Sequence, residues 1–111
     1  MRVCGDEMRV WVLLPAYNEA QNLPPLLAGL ADVLRQAGTG GGVTVVDDGS
    51  TDETAAVVAR AGAPPARVVS HGRNLGLARA MATGLAAVLP GAAPEDVVVT
   101  MDADNTHPPS L

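Results

Sequence analysis

Apolar and polar positions follow two rhythms along this chain. Met8–Leu14 (MRVWVLL) is a mostly apolar run that predicts a strand, ended by Pro15. Asn22–Gln36 sets Leu23, Leu26, Leu27, Leu30, Val33 and Leu34 on one helical stripe, and the glycine-rich Gly38–Gly42 segment breaks it. Val43–Val46 is a short, wholly apolar strand that runs into Asp47 and Asp48. Ser50-Thr51-Asp52-Glu53 has the form of a capping box, in which the Ser50 hydroxyl accepts from the Glu53 amide and the Glu53 carboxylate reaches back. The helix it predicts runs to about Ala61 and ends at Gly62–Pro65. Arg67–Ser70 is a third strand. Gly76–Leu89 carries Ala78, Met81, Ala82, Leu85, Val88 and Leu89 at helical spacing, and Pro90–Pro94 breaks that pattern. Val97–Met101 is the fourth strand.

Strands alternating with helices predict an α/β fold: a parallel sheet of about four strands alternating with about three helices, its apolar strands buried on both faces. Ligands of such sheets bind at the carboxyl ends of the strands. In this chain the chemistry-bearing residues follow the strands. Pro15-Ala16-Tyr17-Asn18-Glu19 comes after the first, Asp47-Asp48-Gly49-Ser50 after the second, and His71-Gly72-Arg73-Asn74 after the third. Asp102-Ala103-Asp104 comes after the fourth. Carboxylates gathered at one edge need a cation, a donor-rich ligand or raised pKa values.

The stretch VVVTMDADNTHP, residues 97–108, is the most specific of these. A β-branched run that stops on D-x-D delivers two oxygen donors to the mouth of a sheet. Hard divalent cations such as Mg²⁺ or Mn²⁺ take oxygen ligands, and Mg²⁺ is commonly shared with substrate phosphates. Asp102 and Asp104 are therefore the expected metal ligands. A loop-start Asp and a helix cap would be the plain alternative for this pair. Turn chemistry is the plain alternative for Asp47 and Asp48.

Composition narrows the function classes. The 111 residues form at most one small domain, 48% hydrophobic and with aromatics at only 2%. A net charge of −5 with seven arginines and no lysine argues against a nucleic-acid footprint. The single Cys4 excludes an intramolecular disulfide and fits a reducing, cytoplasmic setting. The apolar run Val10–Pro15 is far too short for a membrane span. Residues 1–7 read as a loose leader, with the domain occupying residues 8–111.

PAYNE, VVDDGSTDET, NLGLARAMATGL and MDADNTHPP, in this order and spacing, resemble the family 2 glycosyltransferases, enzymes of the GT-A fold. The similarity extends to the branch of polyprenol-phosphate sugar transferases of the dolichol-phosphate mannosyltransferase type. The resemblance implies a Rossmann-like nucleotide-binding half, incomplete here, that ends just after the D-x-D. It implies a UDP- or GDP-linked sugar donor across the strand ends. Pro15, Ala16, Tyr17 and Glu19 would line the base and ribose pocket. Asp48 would accept a hydrogen bond from the base, with Asp47 behind it. Asp102, Ala103 and Asp104 would meet the diphosphate through Mg²⁺ or Mn²⁺. A polyprenyl phosphate at the inner face of a membrane is the acceptor implied by that branch.

Leu77 and Ala82 stand where other branches of the family carry Lys and Arg. No catalytic base is identified within the chain. Two other readings stay open. One is a non-catalytic or degenerate half-domain that binds nucleotide. The other is a haloacid dehalogenase-like phosphatase fragment, with Asp102 as nucleophile and Asp104 as acid/base. That second family places the motif near the start of its domain and needs a downstream Lys. A response-regulator receiver also needs a Lys, and a dinucleotide site needs its glycines after a strand, whereas Gly38–Gly42 precedes one.

Overall fold

The computed structural model describes residues 8–38, 40–61 and 66–101. Its elements in chain order are β1 (Val10–Ala16), α1 (Leu23–Ala37), β2 (Gly41–Asp47) and α2 (Thr54–Ala61). They continue with β3 (Ala66–Ser70), α3 (Leu77–Val88), a 3₁₀ turn at Leu89–Gly91 and β4 (Val97–Thr100). All three strand pairings are parallel, in the order β3-β2-β1-β4. The chain steps outward from β1 to β3 and then crosses back to the other side of β1. That reversal sets the topological switch point at the carboxyl ends of β1 and β4, where open α/β sheets bind ligands.

The alternation of side chains along β1 divides the core. Val12, Leu14 and Ala16 face α1 and α2 with Val43, Val45, Leu23, Leu26, Leu27, Leu30 and Val58. Leu13 faces the other way, with Val46 and Ala80, under α3. Gly84 lets α3 lie close on that face: a Cβ built there would sit 2.1 Å from Leu13 Cδ1. α1 begins with proline at its first positions, where a missing N–H costs nothing. It ends at Gly38, whose left-handed backbone (φ 70°) returns its N–H to the Leu34 and Arg35 carbonyls.

Three sequence expectations are corrected. Pro15 does not end β1, which runs to Ala16 and keeps register with β2 through Ala16 and Asp47. The donor that Pro15 lacks would point to the β4 side. There the bond from the Met101 amide to the Leu13 carbonyl, 3.2 Å, is the last among the described residues. The capping box does not form. The Ser50 hydroxyl accepts from the Asn18 amide instead, and α2 starts at Thr54, whose amide donates to Asp52 Oδ1 at 2.9 Å. Burial on both faces holds for β1 and β2 but not for the edge strands, since Val97 and Val99 of β4 are 39% and 37% exposed.

At the amino end of the sheet Asp96 ties β1 to β4. Its side chain is 1% exposed. It accepts from the Arg9 amide and guanidinium, from Trp11 Nε1 at 3.0 Å, and from the Ala93 amide. Arg9 stacks over the Trp11 ring at 5.1 Å. The Trp11 hydrogen bond and the Ala93 amide outweigh burial and hold the Asp96 carboxyl well below the ordinary carboxylate range. A carboxyl that binds its proton less readily when folded stabilises the fold above that range, and the contribution fades as pH falls below about 4. Thermal unfolding of the parent and of Asp96→Asn should therefore converge as the buffer is acidified. Parallel pH profiles would contradict this.

Candidate functional site

The first three loops at the carboxyl edge are tied to one another by side chains. After β1 the chain turns at Asn18, a left-handed residue (φ 55°) of a type that tolerates this backbone. The Asn18 amide donates to Ser50 Oγ at 2.9 Å, and Asn18 Oδ1 accepts the Thr51 amide at 2.8 Å. The Glu19 amide donates to Thr54 Oγ1 at 3.0 Å, and the Ala20 amide reaches Asp52 Oδ2 at 3.3 Å. Asp52 thus braces the loop that carries Tyr17 and Glu19. Its hydrogen bond from Thr54, opposed by burial and joined by backbone donors, holds its carboxyl below the ordinary value.

Asp48 is the junction of the second and third loops. Its amide donates to the Ala16 carbonyl at 2.8 Å. Asp48 Oδ1 accepts from His71 Nδ1 at 2.8 Å and from the Leu75 amide at 2.9 Å, and Oδ2 accepts from the Gly76 amide at 3.0 Å. Gly76 precedes α3 and has no side chain to cap it. The Asp48 carboxylate instead holds the Leu75 and Gly76 amides just ahead of the helix, with its charge near the helix's positive end. Burial alone would raise the Asp48 pKa, but the bonds from His71, Leu75 and Gly76 together lower it. Two carboxylate oxygens offer about four acceptor directions. Among the described residues three are used, and one on Oδ2 is left.

Gly49 brings the third loop onto this junction. Its backbone is left-handed (φ 75°), and a Cβ there would sit 2.2 Å from the Arg73 carbonyl carbon and 2.3 Å from the Asn74 nitrogen. Asn74 Nδ2 donates to the Asp48 carbonyl at 3.1 Å.

The other expected site residues take varied positions. Asp47, 6% exposed, closes its own turn by accepting the Ser50 amide at 3.0 Å. Ala16 has its methyl in the core and meets the edge only through its backbone. Pro15 is half-buried in β1. Glu19 Oε1 accepts from Asn22 Nδ2 at 2.6 Å, and Tyr17 is 45% exposed at the edge. Asp102, Ala103 and Asp104 lie outside the described residues, and so does the D-x-D assignment. Among the described residues, no group of three or more His, Cys, Asp or Glu converges to hold a metal ion. A cavity of about 600 Å³ opens at the opposite, amino end of the sheet, among Trp11, Gly42, Thr44, Arg67, Val88 and Pro90. None of the expected site residues lines it. His71, Asn74 and Asn18 carry no expected role in the sequence, although each directly follows or lies near a strand end.

With this geometry in hand, the comparisons decide the family. Residues 11–111 match the sequence profile described as Glycosyl transferase family 2. The chain belongs to this family. It is 36% identical over 107 residues to an undecaprenyl-phosphate 4-deoxy-4-formamido-L-arabinose transferase of Pectobacterium carotovorum, covering 94% of this chain and 31% of that protein. It is 34% identical over 105 residues to a dolichol-phosphate mannosyltransferase of Pyrococcus furiosus, covering 94% of this chain and 28% of that one. Among solved structures, mannosyl-3-phosphoglycerate synthase from Rubrobacter xylanophilus aligns with a TM-score of 0.69 at 28% identity, over 87% of this chain and 31% of that one. The mannosyltransferase PcManGT from Pyrobaculum calidifontis, in complex with GDP-Man and Mn²⁺, aligns at 0.68 and 32% identity, over 86% and 27%. The family 2 chain thus spans about 30% of the length of these relatives. Its α/β architecture is that of the GT-A neighbours. No described helix is long and apolar enough to cross a membrane.

Proposed function

We propose that the carboxyl edge of this sheet binds the nucleoside diphosphate of a sugar donor, as part of a glycosyltransferase that serves a polyprenyl-phosphate acceptor. One observation carries the reading: the loops after β1, β2 and β3 are braced against one another at the carboxyl edge, beside the point where strand order reverses. The family relatives named for polyprenyl-phosphate acceptors support the acceptor class. The neighbour holding GDP-Man and Mn²⁺ supports a guanosine donor with a divalent cation.

Within this reading Tyr17 offers an exposed ring for the base to stack on, and Pro15 and the Ala16 backbone form the floor beside it. The remaining acceptor direction on Asp48 Oδ2 would take a ring N–H. Asp47 shapes the turn that presents it, and Glu19 holds the next turn against the ribose. Met101 is tied to Leu13, and Asp102 is bonded directly to Met101. The two carboxylates of Asp102-Ala103-Asp104 suit Mg²⁺ or Mn²⁺, which would neutralise charge on the departing diphosphate when bound. The chain's own part is to bind and orient the donor.

Isothermal titration with GDP-mannose and with UDP-linked sugars, with and without Mn²⁺, tests this. Binding should require the cation, and Asp104→Asn should weaken it by roughly 10–100-fold and remove the cation dependence. Cation-dependent binding that survives in Asp104→Asn would overturn the metal assignment. No binding of any nucleotide by the parent would overturn the reading itself.

A further inference from the structure

His71 leaves β3 at the proposed nucleotide edge, and the motifs give it no role. Its side chain is 9% exposed. Nδ1 lies 2.8 Å from Asp48 Oδ1, and Nε2 lies 2.8 Å from Thr83 Oγ1 in the middle of α3. The His71 amide donates to the Asp47 carbonyl at 2.9 Å. One imidazole therefore connects the ends of β2 and β3 with α3.

The partners dictate its proton. An ionised carboxylate only accepts, so Nδ1 carries hydrogen. In the neutral ring Nε2 is then a lone pair, and the Thr83 hydroxyl donates to it. The other groups on the Asp48 carboxylate, the Leu75 and Gly76 amides, belong to the turn that this carboxylate caps. Asn74 hangs on the Asp48 carbonyl as well. These donors travel with the turn. The ring instead refers Asp48 to a strand end and a helix, both of them packed.

We propose that His71 is a positioning residue for the donor edge: its ring fixes the Asp48 carboxylate, and Asp48 fixes the turn before α3. This rests on the nucleotide reading of that edge. The direction of the free Oδ2 lone pair is then set by a group that itself touches no ligand. Asp48 sets the tautomer, and the Thr83 hydroxyl, which can donate or accept, holds the far side of the ring against α3.

The test uses the full 111-residue chain, with ¹⁵N spectra of the imidazole, amide exchange at Leu75 and Gly76, and titration with GDP and Mn²⁺. Where its ring is neutral, the parent should show the Nδ1–H tautomer. His71→Ala should speed exchange at both amides and weaken GDP binding, each by about ten-fold, the loss of one hydrogen bond. His71→Asn places an amide donor near the position of Nδ1 and should restore most of both. Thr83→Val removes the bond that holds the ring to α3 and should speed exchange at Leu75 and Gly76 less than His71→Ala does, with the Nδ1–H tautomer kept; if His71→Ala does not fold, unchanged exchange in Thr83→Val overturns the proposal. An Nε2–H tautomer in the parent would overturn the proposal, as would unchanged exchange in His71→Ala. If the parent binds GDP and His71→Ala binds equally well, positioning of the donor is refuted. If the parent binds no GDP, the nucleotide reading fails, and with it the functional half of the proposal. The exchange rates then still decide whether His71 sets the turn.

Discussion

Alanine at Gly49 should lower the stability of this domain by about 2–5 kcal/mol, adding the cost of a left-handed backbone to that of overpacking. The added methyl would meet the backbone of Arg73 and Asn74 at 2.2–2.6 Å. Backbone atoms have no rotamer in which to step aside. The β3–α3 loop must lift, and the contacts of Leu75 and Gly76 with Asp48 lift with it. Gly72→Ala is the control, since a Cβ there meets nothing within 4 Å and should change stability by less than about 0.5 kcal/mol. Urea unfolding of both variants, with amide exchange at Leu75 and Gly76, makes the comparison. Equal midpoints for the two would show that the loop does not cross at Gly49.

Asp48→Ala should cost about 3 kcal/mol or more, because three donors lose their acceptor and a stranded buried donor costs about 1–3 kcal/mol. Asp48→Asn keeps one oxygen but turns an NH₂ toward an amide or the imidazole, and should fall between parent and Ala. Both should also weaken the proposed nucleotide binding, so folding has to be measured beside affinity. The Asp48 pKa is lowered, so its share of stability is present above the ordinary carboxylate range and fades below about pH 4. The Ala variant should lack that part of the acid dependence. An Asp48→Ala protein as stable as the parent would mean the carboxylate is not the anchor of α3.

Much of this is legible in the chain itself. The apolar rhythm predicts each strand and helix in order, because Val43–Val46 has no polar position to offer water and the leucines of α1 repeat at the helical period. Boundaries were less legible where backbone pairing decides them. Gly41 and Gly42 read as a breaker, yet they pair with Val10 and Trp11 because a strand needs no side chain to form its ladder. Pro15 suggests a stop, although its missing donor faces β4 and leaves the pairing with β2 intact. The motifs pointed to the carboxyl edge but not to its wiring. Ser50 was read as capping its own helix, a local bond three residues away. It caps a turn 32 residues earlier, and such partners leave no periodic trace. The same holds for His71, whose ring partners come from the loop after β2 and from α3. A histidine just past a strand end, in a chain with only two, was the available signal.

The Asp96 cluster has a practical consequence for anyone reshaping this protein. It holds the starts of β1 and β4, while the candidate binding residues lie at or beyond the strands' far ends. β1 has seven residues, so the two regions stand roughly 20 Å apart along it. Substitutions farther apart than about 10 Å with no shared partner usually add independently. Strengthening the Trp11–Asp96 end, or filling the cavity beside Trp11, should therefore raise thermal tolerance without the usual trade against ligand affinity. Specificity can then be explored at Tyr17 and Glu19 on a background already made robust.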